Sequence, residues 1–471
     1  MKIGVKLFVI LIISGLVLTF LLSWSIEYEK YRKKLVDPNE ISKTLNYFQS
    51  IVTEAYPKTV ESNDKERKFI EAVDYVKSKL SKKMSAIDTF KMVQPVLSTL
   101  EDQNTRFYPP YDPNYKVLPF STVVIDKRII VTSTANEKIP AGAEVLEIDG
   151  KSAEELIDSL IDYTSGENYG LREQQIGDLI QLLPEIFRNP HRPKVEVLYR
   201  SEPHTVTLRT GDKTEKVNVE TVSIFSYPTL SSSYDVLPSR QPFEYQQSDE
   251  VGIMKFGTFS LSGTMYNRYR EFLTQKFLEM KGMHDLLIDL RGCSVSDFTV
   301  FKEFFEHLIS EPTTSQRNVS VVLSAYNLSV LEKYGIEYKS STNELITTLY
   351  TQKFVPRTPS FNGKLWVLID RYTSDAALDF AYMLMKMNKA QIIGEPTLTP
   401  INHMTDVVYQ YSEGMKMTYS YPKARFSDKE DNPVLVPSYV VNVSTEDRIE
   451  YTKGTRDVML DEALEIVKKG E

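Results

Sequence analysis

From Val251 onward, short apolar runs alternate with longer amphipathic ones, and this alternation narrows the choice of fold more than any other feature of the chain. The apolar runs are "VGIMKFGTF", "HDLLIDLRG", "NVSVVLSAYN", "GKLWVLIDR" and "AQIIGEP". Between them lie "RYREFLTQKFLEMKG", "FTVFKEFFEHLIS" and "ALDFAYMLMKM", with apolar residues at helical spacing. Leu286–Leu290 and Leu365–Ile369 are apolar almost without a break, the pattern of strands covered on both faces. Residues 251–471 therefore read as an α/β core.

Upstream, the period changes twice. Residues 35–105 carry helical spacing, as in "ISKTLNYFQSIVTEAY", "ERKFIEAVDYVKSKL" and "SAIDTFKMVQPVLSTLEDQ", and read as a helical domain. Ser85 is placed to cap the last of these helices and Pro95 to kink it. Residues 106–225 shift to short β runs with turns at Asp126–Lys127 and Asp149–Gly150, and "KVEVLYR" is expected to pair with "HTVTLRT". Residues 226–250 lie within "SYPTLSSSYDVLPSRQPFEYQQSDE", which lacks a period and reads as a connecting loop.

The first 34 residues are set apart by "LFVILIISGLVLTFLLSW", residues 7–24, which holds no charge. As a helix it would measure about 27 Å, enough to cross a hydrocarbon core. No A-x-A-like cleavage site follows, so the segment reads as an uncleaved anchor in a cell membrane. Lys2 and Lys6 precede it and Lys30, Arg32, Lys33 and Lys34 follow, so a literal charge count would keep the body in the cytoplasm. The net charge of -8, with both signs interspersed and no basic stripe, argues against a nucleic-acid partner. A single cysteine, Cys293, and five histidines without metal-binding spacing give no reason to expect a metal or cofactor.

The stretch "WVLIDRYTSDAALDFAYML", Trp366–Leu384, reads as a buried strand, a tight turn and a helix opening at Thr373–Asp375. Hydrolases mount nucleophiles on such turns because a helix N-terminus stabilises negative charge. Ser374 and Asp375 both stand there.

Five motifs, in order, resemble the C-terminal processing (tail-specific) serine protease family. "IPAGAEVLEIDGKSAEELI" is similar to the family's PDZ-like domain and "VGIMKFGTF" to the strand opening its protease core. "LLIDLRG" resembles D-L-R-G-N-x-G-G, and "TSDAALDFAYMLMKMNKAQIIGEPT" resembles T-A-S-A-A-E-x-F-A with its G-E-P-T turn. "VPSYVVNVSTEDRIEYTKGTRDVMLDEALEIV" is similar to the closing strand and helix. The resemblance implies an α/β fold of the crotonase/ClpP-like class, residues 251–471, with an N-terminal helical domain, an inserted PDZ-like β domain at 106–225 and one preceding transmembrane helix. It also implies an extracytoplasmic body and polypeptide C-termini as partners, since PDZ-like modules bind them by strand addition.

The resemblance also places the family's catalytic positions, and the sequence departs from them. In the register that keeps Gly394–Glu395–Pro396–Thr397 in place, Asp375 falls on the nucleophilic Ser and Ser374 on the Ala before it. In "LEDQNTRF", Asn104 stands where the family has its His, and amide nitrogen takes no proton near neutral pH. Pro400 stands where Ser–Lys relatives have Lys, and Ser438 where the family has the Asp of Pro-Asp. Gly292 is left as an oxyanion donor, with Val295 and Ser296 replacing two glycines. The implied protein is a degenerate serine peptidase homologue, a pseudoenzyme that binds polypeptides or an active relative. The alternative is a working serine-type peptidase with Ser374 as nucleophile and His403 as base, or with Cys293 as nucleophile.

Overall fold

The computed structural model describes residues 35–470 except 61, 114, 188–202, 225–240, 258–262, 294–296 and 431–432. The expected anchor at 7–24 lies outside the described residues, and so does "KVEVLYR". No helix among the described residues is long and apolar enough to cross a membrane.

Helices occupy Pro38–Glu54, Pro57–Val60, Asn63–Lys79 and Ala86–Ser98. The Asp37 side chain caps the first by accepting from the Asn39 N–H, with Pro38 at the opening position where a missing donor is harmless. Ser85 caps the last through the Asp88 N–H, as its place in the sequence predicts, and that helix runs on through Pro95. Ile41, Leu45, Phe48 and Val52 recur at three- and four-residue steps and are buried against Phe69, Val73 and Phe90 in one shared core.

Strands β1 (Arg106–Phe107), β2 (Lys116–Val117), β3 (Phe120–Ile125), β4 (Arg128–Thr134), β5 (Glu144–Ile148), β6 (Lys151–Ser152), β7 (His204–Thr210), β8 (Lys213–Val219) and β9 (Val222–Ser223) follow. An antiparallel sheet runs β3-β4-β5-β7-β8, with β6 on β5. The two expected turns form: Asp126 and Lys127 have φ of 47° and 64°, Asp149 and Gly150 51° and 82°. Two left-handed central residues match the strand twist. Among the described residues, "HTVTLRT" (β7) pairs with β5 and β8. Helix Tyr169–Gln181 lies against the β3 edge so closely that a Cβ on Gly177 would stand 2.4 Å from the Thr122 carbonyl oxygen.

The remaining strands are β10 (Phe243–Ser248), β11 (Val251–Phe256), β12 (Asp285–Asp289), β13 (Thr313–Val322), β14 (Leu345–Phe354), β15 (Lys364–Ile369), β16 (Ala390–Gly394), β17 (Met404–Ser412), β18 (Met417–Phe426) and β19 (Tyr439–Val440). One sheet has the order β10-β11-β12-β15-β16-β19, parallel except for β10. The loop reading of 226–250 is thereby corrected at its end. Asp249, at φ 53°, turns the chain back, and Phe243 and Tyr245 pack against the core from the new edge strand. Leu286, Ile288, Leu365, Val367 and Ile369 face helices Thr299–Phe305 and Asp375–Lys386. Leu287, Trp366 and Leu368 face helix Val458–Lys469 on the other side. Both faces are covered, which is why these strands read as continuous apolar runs. A second sheet, β1-β18-β13-β14 with β17 on β18, is antiparallel and joins the helical segment to the core.

Candidate active site

The strand–turn–helix at Trp366–Leu384 forms as its sequence predicts, and buried Asp370 organises it. The carboxylate accepts from the N–H of Gly292 (2.9 Å) and of Tyr372 (3.1 Å), and Thr373 Oγ1 lies 3.1 Å from it. Thr373 Oγ1 in turn accepts from the Asp370 N–H. Burial raises the Asp370 carboxyl above its ordinary value, against these donors. Behind the turn, Gly394 has φ 125°, and a Cβ there would stand 1.9 Å from the Ile369 carbonyl oxygen. That close approach is why the G-E-P-T motif opens on glycine.

Ser374 and Asp375 are separated by the backbone. Ser374 is extended at φ -143° and ψ 178°, buried, and bonded through its N–H to the Cys293 carbonyl (3.1 Å). Asp375 opens the helix at φ +50°, a left-handed conformation uncommon for any residue but glycine. The strained apex of the turn is residue 375, the position that the motif register assigns to the nucleophile. Such strain gathers at functional sites. Among the described residues, the Ser374 hydroxyl bonds to Asp375 Oδ2, at 3.4 Å.

Around Asp375 the charges are dense. Burial pushes its carboxyl up to about 6; His403 and Arg106 oppose that rise, and Asp379 adds to it. Asp379 lies one helical turn beyond Asp375, on the same face. His403 is buried with Nε2 3.8 Å from Asp379 Oδ1, and its Nδ1 lies 3.2 Å from the Pro400 carbonyl oxygen, which only accepts. Nδ1 therefore carries the proton. Arg317 binds Asp379 and Asp428 and stacks 3.6 Å from the Phe426 ring centre. Asn104 Nδ2 donates to the carbonyl of Met404 at 3.1 Å, beside His403.

The structure thus brings Asn104, Asp375, Ser374 and His403 to one place. Among the described residues, no hydrogen bond joins Ser374 to His403. Gly292, at φ +62°, spends its N–H on Asp370, so the donor assigned to an oxyanion already serves a carboxylate. Cys293 is buried, its Sγ 3.4 Å from the Gly257 carbonyl oxygen. Acyl transfer needs a nucleophile bonded to a base and donors facing the developing oxyanion. At the apex the Asp375 carboxylate accepts from the Ser374 hydroxyl at 3.4 Å, and its negative charge would oppose an oxyanion formed beside it.

The retained motif residues hold the fold together. Arg291 is buried, paired in two-pronged fashion with Asp289 (2.9 Å) and with Asp457 (2.6 and 2.8 Å). Asp457 also caps helix Val458–Lys469 through the Leu460 N–H. Glu395 is gripped by both Nη atoms of Arg448, at 2.6 and 2.5 Å. The β3–β4 turn is pinned to the site turn: Asp126 accepts from Arg371 (2.9 Å) and Thr445 (2.7 Å). Tyr372 packs with Ile125, Ile130 and Ile449. Sequence reading had missed Asp379, Arg317 and Arg106. The four-residue step from Asp375 to Asp379 was a visible signal, whereas nothing local links Arg317 to the site.

No family model and no curated protein matches the sequence. Solved structures do. Mature CPAF is similar over 92% of this chain and 97% of its own, with a TM-score of 0.63 and 15% identity. A CPAF variant gives a TM-score of 0.66 at 14% identity, with the same coverages. The photosystem II D1 C-terminal processing protease is similar over 86% of this chain and 92% of its own, at 12% identity and a TM-score of 0.42, too low to carry weight here. The chain therefore has the fold of mature CPAF.

Proposed function

We propose that this protein is a membrane-anchored, catalytically degenerate homologue of the C-terminal processing peptidases that binds polypeptides or an active relative. The observation that carries this reading is Asp375 at the strained helix opening, with the Ser374 hydroxyl donating to its carboxylate at 3.4 Å and, among the described residues, not to His403. Asn104, tied to the Met404 carbonyl, supports it. In this reading residues 106–225 form a PDZ-like domain, residues 251–471 a crotonase/ClpP-like core, residues 7–24 the anchor, and the body is extracytoplasmic.

The test uses the full chain in mild detergent with a fluorophosphonate probe and fluorescent peptides. The reading expects no labelling and measurable peptide binding. Labelling that disappears in Ser374→Ala would establish a working serine peptidase instead. Absence of peptide binding removes the binding half of the reading.

A further inference from the structure

Among the described residues, strand β17 is an edge. Among the described residues it pairs with β18 alone, from Met404 opposite Arg425 to Ser412 opposite Met417. Exposed edges are usually blunted by charge or proline, because their backbone groups accept another strand. The β8 edge follows that rule, with Lys213, Glu215 and Lys216 exposed. The stretch Val407–Tyr411, "VVYQY", carries neither charge nor proline.

The face of this edge is aromatic. Tyr409 and Tyr411 lie two residues apart, so they share a face, and are 59% and 53% exposed. Val408, pointing the other way, packs on the core. The same outer face continues across β18 to Tyr108, whose ring centre is 6.2 Å from that of Tyr409, and to Arg106, which lies 4.4 Å over the Tyr108 ring.

The edge leads into the candidate site. Asp406, at φ 56° and opposite Lys423, interrupts the β17–β18 pairing without shifting its register, and is held by Lys333 and Tyr334, each at 2.6 Å. Two and three residues before it come Met404, which accepts from Asn104, and His403. The β3 edge offers no equivalent opening. There the Thr122 carbonyl faces Gly177, and Thr122 Oγ1 donates to the Gly177 carbonyl at 3.1 Å, so the helix fills the place of an added strand.

We propose that an extended polypeptide docks as an added strand on the Val407–Tyr411 edge of β17, its alternate side chains lying on Tyr409, Tyr411 and Tyr108 and one end directed toward Asp375. This rests on the polypeptide-binding reading above and assigns its site to β17, not to the β3 edge. Main-chain hydrogen bonds supply affinity in this mode, and the aromatic shelf supplies side-chain preference.

The test uses the full chain in detergent and three fluorescein-labelled decapeptides, with valine, leucine or tyrosine alternating with threonine. Each is paired with a copy N-methylated at alternate residues. Anisotropy should show binding that N-methylation weakens by about tenfold or more, with a similar loss in the Tyr409→Ser, Tyr411→Ser double variant. A Tyr75→Ser variant, far along the chain on an exposed helix face, controls for loss of a surface tyrosine and should bind as wild type. Binding untouched by N-methylation and by the double variant overturns the β17 assignment while leaving the polypeptide-binding reading standing. If none of the three peptides binds at about millimolar concentration, the binding reading itself fails.

Discussion

The backbone N–H of Gly292 donates to Oδ1 of Asp370 at 2.9 Å, across 78 residues of sequence. One carboxylate thereby joins the end of β12 to the turn that presents Asp375. Asp370→Ala leaves the buried N–H groups of Gly292 and Tyr372 without their acceptor. We expect a loss of about 2–4 kcal/mol in urea unfolding, and a smaller loss in Asp370→Asn, which keeps one acceptor oxygen. Equal losses in the two variants would contradict this role.

Asp375 gives a pH dependence with a definite sign. Its carboxyl is raised from an ordinary 3.8 to about 6, so the folded chain holds that proton more tightly than the unfolded chain. The resulting penalty is absent below 3.8, grows as pH rises through the window, and is complete above about 6. Asp375→Asn, whose side chain also tolerates positive φ, should be more stable than wild type by on the order of 1–3 kcal/mol at pH 8. The gain should fade as the pH is lowered toward 4, a trend that melting curves across pH would reveal.

Gly394→Ala should be far more damaging than an ordinary glycine replacement. Its Cβ would meet the Ile369 carbonyl oxygen at 1.9 Å, and the backbone is left-handed as well. Gly211, also left-handed but with open space around it, is the control. We expect about 1 kcal/mol or a little more for Gly211→Ala, and more than about 3 kcal/mol or failure to fold for Gly394→Ala. Comparable soluble yields and melting points for the two would refute the packing argument.

The Glu395–Arg448 pair is nearly buried on both sides. Arg448→Met leaves the buried carboxylate with only the distant Arg371, 3.9 Å away, among the described residues, and should destabilise by about 2–4 kcal/mol. Adding Glu395→Gln should recover a good part of that loss, and a double-mutant cycle in thermal unfolding measures the coupling. No recovery would mean that Arg448 matters for packing on Tyr372 and not for charge.

Much of the architecture was visible in the sequence because the physics that sets it is local. Ser85, the Asp126–Lys127 and Asp149–Gly150 turns, and the double-sided burial of Leu286–Leu290 each depend on a few neighbouring residues. The register that puts Asp375 on the nucleophile position comes from the spacing to Gly394, and residue 375 stands at φ +50°. Pairings over long distances were not legible. Phe243–Ser248 joined the sheet because Asp249 reverses the chain, yet its polar alternation resembles a loop. The meeting of Arg317 with Asp379 and of Gly292 with Asp370 depends on tertiary approach alone, and no local pattern announces it.

The pairing of Arg291 with Asp457 spans 166 residues. A ribosome delivers the arginine and Asp289 together, and Asp457 long after them. Docking of the final helix supplies both the missing counter-ion and the cover over Leu287, Trp366 and Leu368 in a single event. Completion of the central sheet is therefore tied to the arrival of the last helix, and a chain interrupted before residue 457 would carry its own mark of incompleteness: a charge at the heart of the sheet that water can still reach.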